Sequence, residues 1–188
     1  MPDGPPHFME VVILWQREHP AIMTLLGRRS IRRFENRPVP EEAVALILEC
    51  ACAAPTAANN RPWHFVVVDD RGKLDALAGV LPYGKALFQA PLAVVVCGDP
   101  TKSDMSRAYW EEDCSAAMEN ILVGAWALGI GSVWLGIHPV PGRPEAVRQI
   151  LDIPGSVSVL GIAALGYPGE EKEPHAGVDP GVVHQNRW

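Results

Sequence analysis

Four short apolar runs constrain this chain more than any other feature: HFVVV (64–68), LAVVVC (92–97), SVWLGI (132–137) and VSVLGIAAL (157–165). Each is rich in β-branched or aromatic residues, and turn formers bound the first two, Pro62 and Asp69-Asp70 around one and Gly98-Asp99-Pro100 after the next. Each therefore predicts a strand. Helical patterns lie before and between them. Pro20 suits the first turn of a short helix leading to Gly27. EEAVALILECACAA begins with acids suited to a helix N-terminus, carries apolar Val44, Ile47, Leu48 and Ala51, and stops at Pro55, so it predicts a buried helix. Further helices are predicted around Lys73 to Ala78, over Glu111 to Leu128 with Gly129 closing it, and over PEAVRQIL at 144–151. Helices interleaved with strands predict a layered α/β sheet, parallel by periodicity alone, although that argument does not fix strand direction.

At 188 residues, 48% hydrophobic and 20% charged, the chain fits one globular domain able to bury its own core. Its net charge of -6 argues against generic nucleic-acid binding, which needs a broad basic face. No apolar run approaches the roughly 20 residues that span a bilayer. The start has neither a basic region nor a cleavage site of a secretory signal, so the expected location is cytoplasmic. Cys50, Cys52, Cys97 and Cys114 form no CxxC pair and are expected to be reduced and mostly buried.

Familiar chemical signatures are missing. Gly129-Ile130-Gly131 follows a helix and precedes a strand, the reverse of the dinucleotide-binding order, and no P-loop, HExxH or GxSxG motif exists. Two stretches stand out instead. GRRSIRRF (27–34) belongs to a segment, 28 to 37, that holds 5 of the 16 Lys and Arg residues. If it is near-helical, Arg28 and Arg32 share one face and Arg29 and Arg33 the next, with the Ser30 hydroxyl between, an arrangement that fits a phosphate. A solvated basic turn pairing with Glu35 and Glu41 fits the spacing equally well. APTAANNRPWHFVVV (54–68) is an irregular connection from helix to strand whose amides either face a planar heteroaromatic or simply cap local backbone.

Together with GAWALGIGSVWLG, LGYPGEEKE and VHQNRW, these stretches, running in order from about Leu25 to Trp188, resemble the FMN-dependent nitroreductase family. The resemblance implies an α+β fold, a three-layer sandwich with a central mixed, mostly antiparallel sheet flanked by helices, assembled as an intertwined homodimer with FMN at the subunit interface. It sets residues 1–20 apart as an N-terminal extension and makes 21–188 one domain whose tail reaches the partner subunit. By similarity Arg28, Arg29, Ser30 and Arg32 hold the FMN phosphate and ribityl chain. Pro55, Thr56 and Asn59 line the flavin pocket, and Trp134, Leu135 and Gly136 lie against the ring. Arg61 stands where relatives carry Gln. Late in the chain, His175 and Gly177 stand where a basic clamp residue is common, leaving His175 or Arg187 as substitutes.

The implied activity is ping-pong hydride transfer, from NADH or NADPH through FMN to a nitroaromatic, quinone or related small-molecule acceptor, with no side-chain acid, base, nucleophile or metal. His64 and His138 are expected to be structural. Other readings remain open on the sequence: a relative with a different flavin reaction such as dehalogenation or flavin destruction, a flavin-binding or regulatory module with little turnover, and a small anion-binding or nucleic-acid adaptor built on the arginine run.

Overall fold

The computed structural model describes residues 18–175, 177 and 179–188. The N-terminal extension and its apolar patch FMEVVILW therefore lie outside the described residues, apart from 18–20. Helix α1 (Pro20–Gly27) and α2 (Glu41–Cys52) precede strand β1 (Trp63–Val68), then α3 (Arg71–Val80), β2 (Leu92–Gly98), α4 (Asp104–Ala127), β3 (Gly131–Gly136), α5 (Arg143–Leu151) and β4 (Ser158–Gly166).

The strands form one sheet in the order β1-β2-β4-β3, and every neighbouring pair is antiparallel. This overturns the parallel sheet expected from periodicity. The physical reason is that β2 is buried along its whole length, so its apolar run records two-sided burial and not direction. The parallel component is a single bridge, Ser30 to Ser132, where the arginine segment lies along the outer edge of β3.

Alternation in β2 divides the core into two. Leu92, Val94 and Val96 pack with Ile47 and Ala51 of α2 and with Cys114, Met118 and Ile121 of α4. Ala93, Val95 and Cys97 face Leu74 and Leu77 of α3 and Val147 of α5. The sheet is thus the middle of three layers, as the family resemblance implies. Helix α4 starts at Asp104, seven residues before the predicted start, because Ser103 caps it by accepting the Ser106 N–H at 3.0 Å over a polar first turn that shows no apolar stripe.

Other expectations need correction. Only Ile47 and Ala51 of α2 are fully buried, and Leu46 is 47% exposed. Helix α1 buries nothing, leaving Ile22, Met23 and Leu25 exposed. Cys97 and Cys114 are buried, but Cys50 and Cys52 are exposed. Among the described residues no helix is long and apolar enough to cross a membrane.

After β4 the chain folds back over its own beginning. Glu35 donates its N–H to the Tyr167 carbonyl, Gly169 to Arg33 (both 2.9 Å) and His175 to Leu26 at 3.1 Å. Tail and arginine segment thereby brace each other at the β3 edge.

Candidate functional site

The arginine segment is extended, not helical: α1 ends at Gly27 and Ile31 donates its N–H to the Ser132 carbonyl at 2.9 Å. Buried Ile31 is the anchor, packed so closely on Gly131 that a Cβ there would come within 2.9 Å of it. The flanking side chains are displayed as a result. Arg28 approaches Glu119 of α4 at 3.4 Å, and Arg29 donates to the Glu173 carbonyl. Neither pairs with Glu35 or Glu41. The Ser30 hydroxyl has no partner among the described residues, and buried Ser132, its neighbour across the bridge, has an Oγ with none either. The backbone bond from His175 to Leu26 puts that residue beside the same cluster, where its Nδ1 accepts the Gly177 N–H at 3.3 Å.

Two residues further along β3 a cavity of about 280 Å³ opens, walled by Arg32, Tyr83, Trp134, Leu135, Gly136 and Arg143 among others. Four of the residues assigned to FMN by resemblance therefore share one cavity. Trp134 is 36% exposed and its indole lies across Gly161 of β4, where any added Cβ would collide with it; this is a wall, not a core filler. Leu135 is buried beneath, while a Cβ on Gly136 would meet nothing within 4 Å, so the space before it is open. The Arg32 N–H donates to Glu170 Oε1 at 2.6 Å, leaving the guanidinium without a partner among the described residues. That N–H first, and then the Lys172 ammonium at 3.0 Å, hold the Glu170 carboxyl below the usual carboxylate range.

Arg143 and Tyr83 are walls that sequence reading missed. Gly142, at φ 81°, turns the chain so that Arg143 begins α5 and donates to the Gly136 carbonyl at 3.1 Å. Tyr83 sits in a turn and Arg143 at a helix start, neither within a motif, and no local signal marks them.

Pro55, Thr56 and Asn59 do not wall this cavity. Their loop is nonetheless built with care. Ala58, Asn59 and Arg61 all adopt left-handed backbone, which costs about 1–2 kcal/mol each for most residues. Surrounding bonds hold it. Asp113 Oδ1 accepts the Ala57 N–H at 2.8 Å, Thr56 Oγ1 accepts the Arg61 N–H at 3.1 Å, and Asn59 Oδ1 accepts from the Arg61 guanidinium at 3.0 Å. Asn60 donates to Ser103 and Ser106 at the start of α4, and Lys102 donates to the Arg61 carbonyl at 2.8 Å. These bonds over-determine the strained turn. Arg61 is occupied within the loop.

His138 lies 3.1 Å from Glu111 and meets Trp110 edge-on, away from these walls. Among the described residues no cluster of three His, Cys, Asp or Glu side chains is placed to hold a metal.

A model of the Nitroreductase family matches residues 25–83 and 77–167. A candidate NADH dehydrogenase/NAD(P)H nitroreductase of Archaeoglobus fulgidus is 43% identical over 164 residues, covering 86% of this chain and 94% of its own. The FMN-dependent nitroreductase of Clostridium difficile superposes with a TM-score of 0.83 at 35% identity, over 89% of this chain and 99% of its own. A candidate nitroreductase of Desulfovibrio desulfuricans, solved in complex with FMN, gives 0.81 at 28% identity, over 91% and 99%. Motifs, three-layer fold and these likenesses agree: the chain belongs to the nitroreductase family.

Proposed function

We propose that this protein is an FMN-dependent oxidoreductase that uses NAD(P)H to reduce a nitroaromatic, quinone or related small acceptor. The observation that carries the reading is that the arginine segment is bridged to the strand that walls the cavity. The unbonded Ser30 hydroxyl, with Arg28 and Arg29 beside it, is bridged through Ser132 to the strand that presents Trp134 and the open space at Gly136. The donor set fits the cofactor: guanidiniums and a hydroxyl suit a phosphate, a flat indole and an uncovered glycine suit a planar ring, and an unpaired Arg32 suits its carbonyl edge.

When bound, FMN would supply the hydride chemistry between NAD(P)H and the acceptor, in ping-pong order. The chain's own part is placement and charge. Arg28, Arg29 and Ser30 hold the phosphate, with His175 beside them. Trp134, Leu135 and Gly136 would hold the ring, and the Arg32 guanidinium in the same cavity would favour uptake of negative charge by it.

The cavity of about 280 Å³ lies just below the roughly 300–1,000 Å³ of ligand pockets, and the space before Gly136 is open. In this reading a second copy closes it, bringing its own Pro55, Thr56 and Asn59. Exposed Ile22, Met23 and Leu25 on α1, and Val182, Val183 and Trp188 in the tail, supply apolar surface for a homodimer of the 21–188 domain.

The test is an absorption spectrum of the purified protein with FMN, followed by NAD(P)H oxidation with and without a nitroaromatic. Bound flavin and acceptor-dependent oxidation are expected. Replacing Arg28 by Gln and Ser30 by Ala together removes charge-assisted bonds worth about 1.5–3 kcal/mol, a loss of roughly ten- to a hundredfold in FMN affinity with the fold intact. Unchanged affinity in that variant refutes the phosphate assignment, and flavin binding without NAD(P)H oxidation refutes the enzyme.

A further inference from the structure

Beside the site just described lies a larger groove of about 630 Å³, which shares Arg32, Pro82 and Tyr83 with the smaller cavity and so adjoins it. Its other walls include Arg33, Lys85, Lys172 and Glu170. Four cations thus face one carboxylate in a chain whose net charge is -6. The carboxylate is already engaged, by the Arg32 N–H at 2.6 Å and the Lys172 ammonium at 3.0 Å. Among the described residues, by contrast, no acid pairs with the side chains of Arg32, Arg33 or Lys85. Unpaired cations around a concave surface favour a multiply charged anion, and an overall acidic chain needs such a local field to draw one in.

We propose that this groove binds the 2′-phosphate of the adenosine end of NADPH, making NADPH the preferred reductant over NADH. The inference rests on the oxidoreductase reading for the nicotinamide end, which reacts with the flavin at the smaller cavity. The shared wall at Tyr83 then places Arg33 and Lys85 where the rest of the dinucleotide can reach them. A phosphomonoester carries about -1.5 to -2 charges near neutral pH, and the forked guanidinium of Arg33 with the point charge of Lys85 is suited to it. A 2′-hydroxyl, which is all that NADH offers there, gains little from two cations.

The experiment has two arms on the full chain. In the first, binding of adenosine 2′,5′-bisphosphate and of adenosine 5′-monophosphate is measured by calorimetry, which needs neither flavin nor turnover. The bisphosphate is expected to bind at least tenfold more tightly, with a preference that declines as salt rises. Arg33→Gln with Lys85→Gln abolishes that preference. In the second arm, kcat/KM is compared for NADPH and NADH. The wild type favours NADPH by roughly tenfold or more, and the double variant loses that advantage with FMN content and NADH turnover retained. Equal binding of the two nucleotides, or an equal loss for both reductants in the variant, overturns the groove assignment while leaving the flavin reading intact. Absence of flavin and of turnover with either reductant, alongside selective bisphosphate binding, does the reverse.

Discussion

Glu170 ties the tail to the arginine segment through one carboxylate, accepting from the Arg32 N–H and the Lys172 ammonium. Both partners prefer its charged form, so its folded pKa lies below the unfolded one. The stabilisation is therefore fully present above the ordinary Glu value of about 4.3 and is lost as pH falls from there through the lowered folded value. Glu170→Gln should reduce stability at neutral pH, and its deficit against the wild type should shrink in acid; denaturation curves across a pH series test this, and a deficit constant down to acid pH contradicts it. Cysteine burial gives a second residue-scale expectation. Burial pushes the Cys97 thiol up to about 12, and burial with the Asp113 charge beside it does the same for Cys114. Both should resist alkylation in the folded protein and react on unfolding, leaving only Cys50 and Cys52 open to modification. Mass spectrometry after limited alkylation distinguishes the pairs. Arg28, Arg29, Ser30 and Arg32 were legible as a motif, but their neighbours Glu119, Glu173 and Glu170 were not, because those are brought in from distant parts of the chain.

At the scale of elements, the loop after α2 depends on α4. Asp113 is 5% exposed, accepts the Ala57 N–H and leaves its Oδ2 without a partner, so it is the buried post on which the strained turn rests. Asp113→Ala should cost about 1–3 kcal/mol by stranding that N–H, and should weaken FMN retention because Thr56 and Asn59 ride on the same turn. Thermal denaturation and flavin titration measure the two effects, and a variant with wild-type stability refutes the role. Helix α4 also shows where local pattern fails. Its apolar stripe near Ala117 and Ile121 was visible, but its first turns were not, since a polar helix start with a serine cap differs little from a loop on paper. The β3–β4 contact is the reverse case: SVWLGI read plainly as a strand, yet the indole of Trp134 lying on Gly161 needed the antiparallel pairing of the two strands.

Across the whole molecule, the sheet is covered on both faces, while α1 has no core of its own to join. An apolar helix left in this state is expected to be covered by a second copy. Sedimentation should therefore give a dimer, and Leu25→Glu, which puts a charge in place of an exposed leucine on that apolar face, should weaken it at least about tenfold. A monomeric wild type that still binds FMN with full affinity contradicts both the dimer and the shared site.

The sequence alone determined the four strands, the helices around them and the two motifs that mark the family, because each is written in a window of a few residues as periodicity, turn chemistry or clustered charge. Strand direction was carried by the family motifs and not by periodicity, while the extended course of the arginine segment, the walls supplied by Arg143 and Tyr83, and the groove uniting Arg33 with Lys85 were decided only by tertiary structure. Each of these depends on which distant segments become neighbours, and burial on two faces looks the same in a sequence whichever way the strands run.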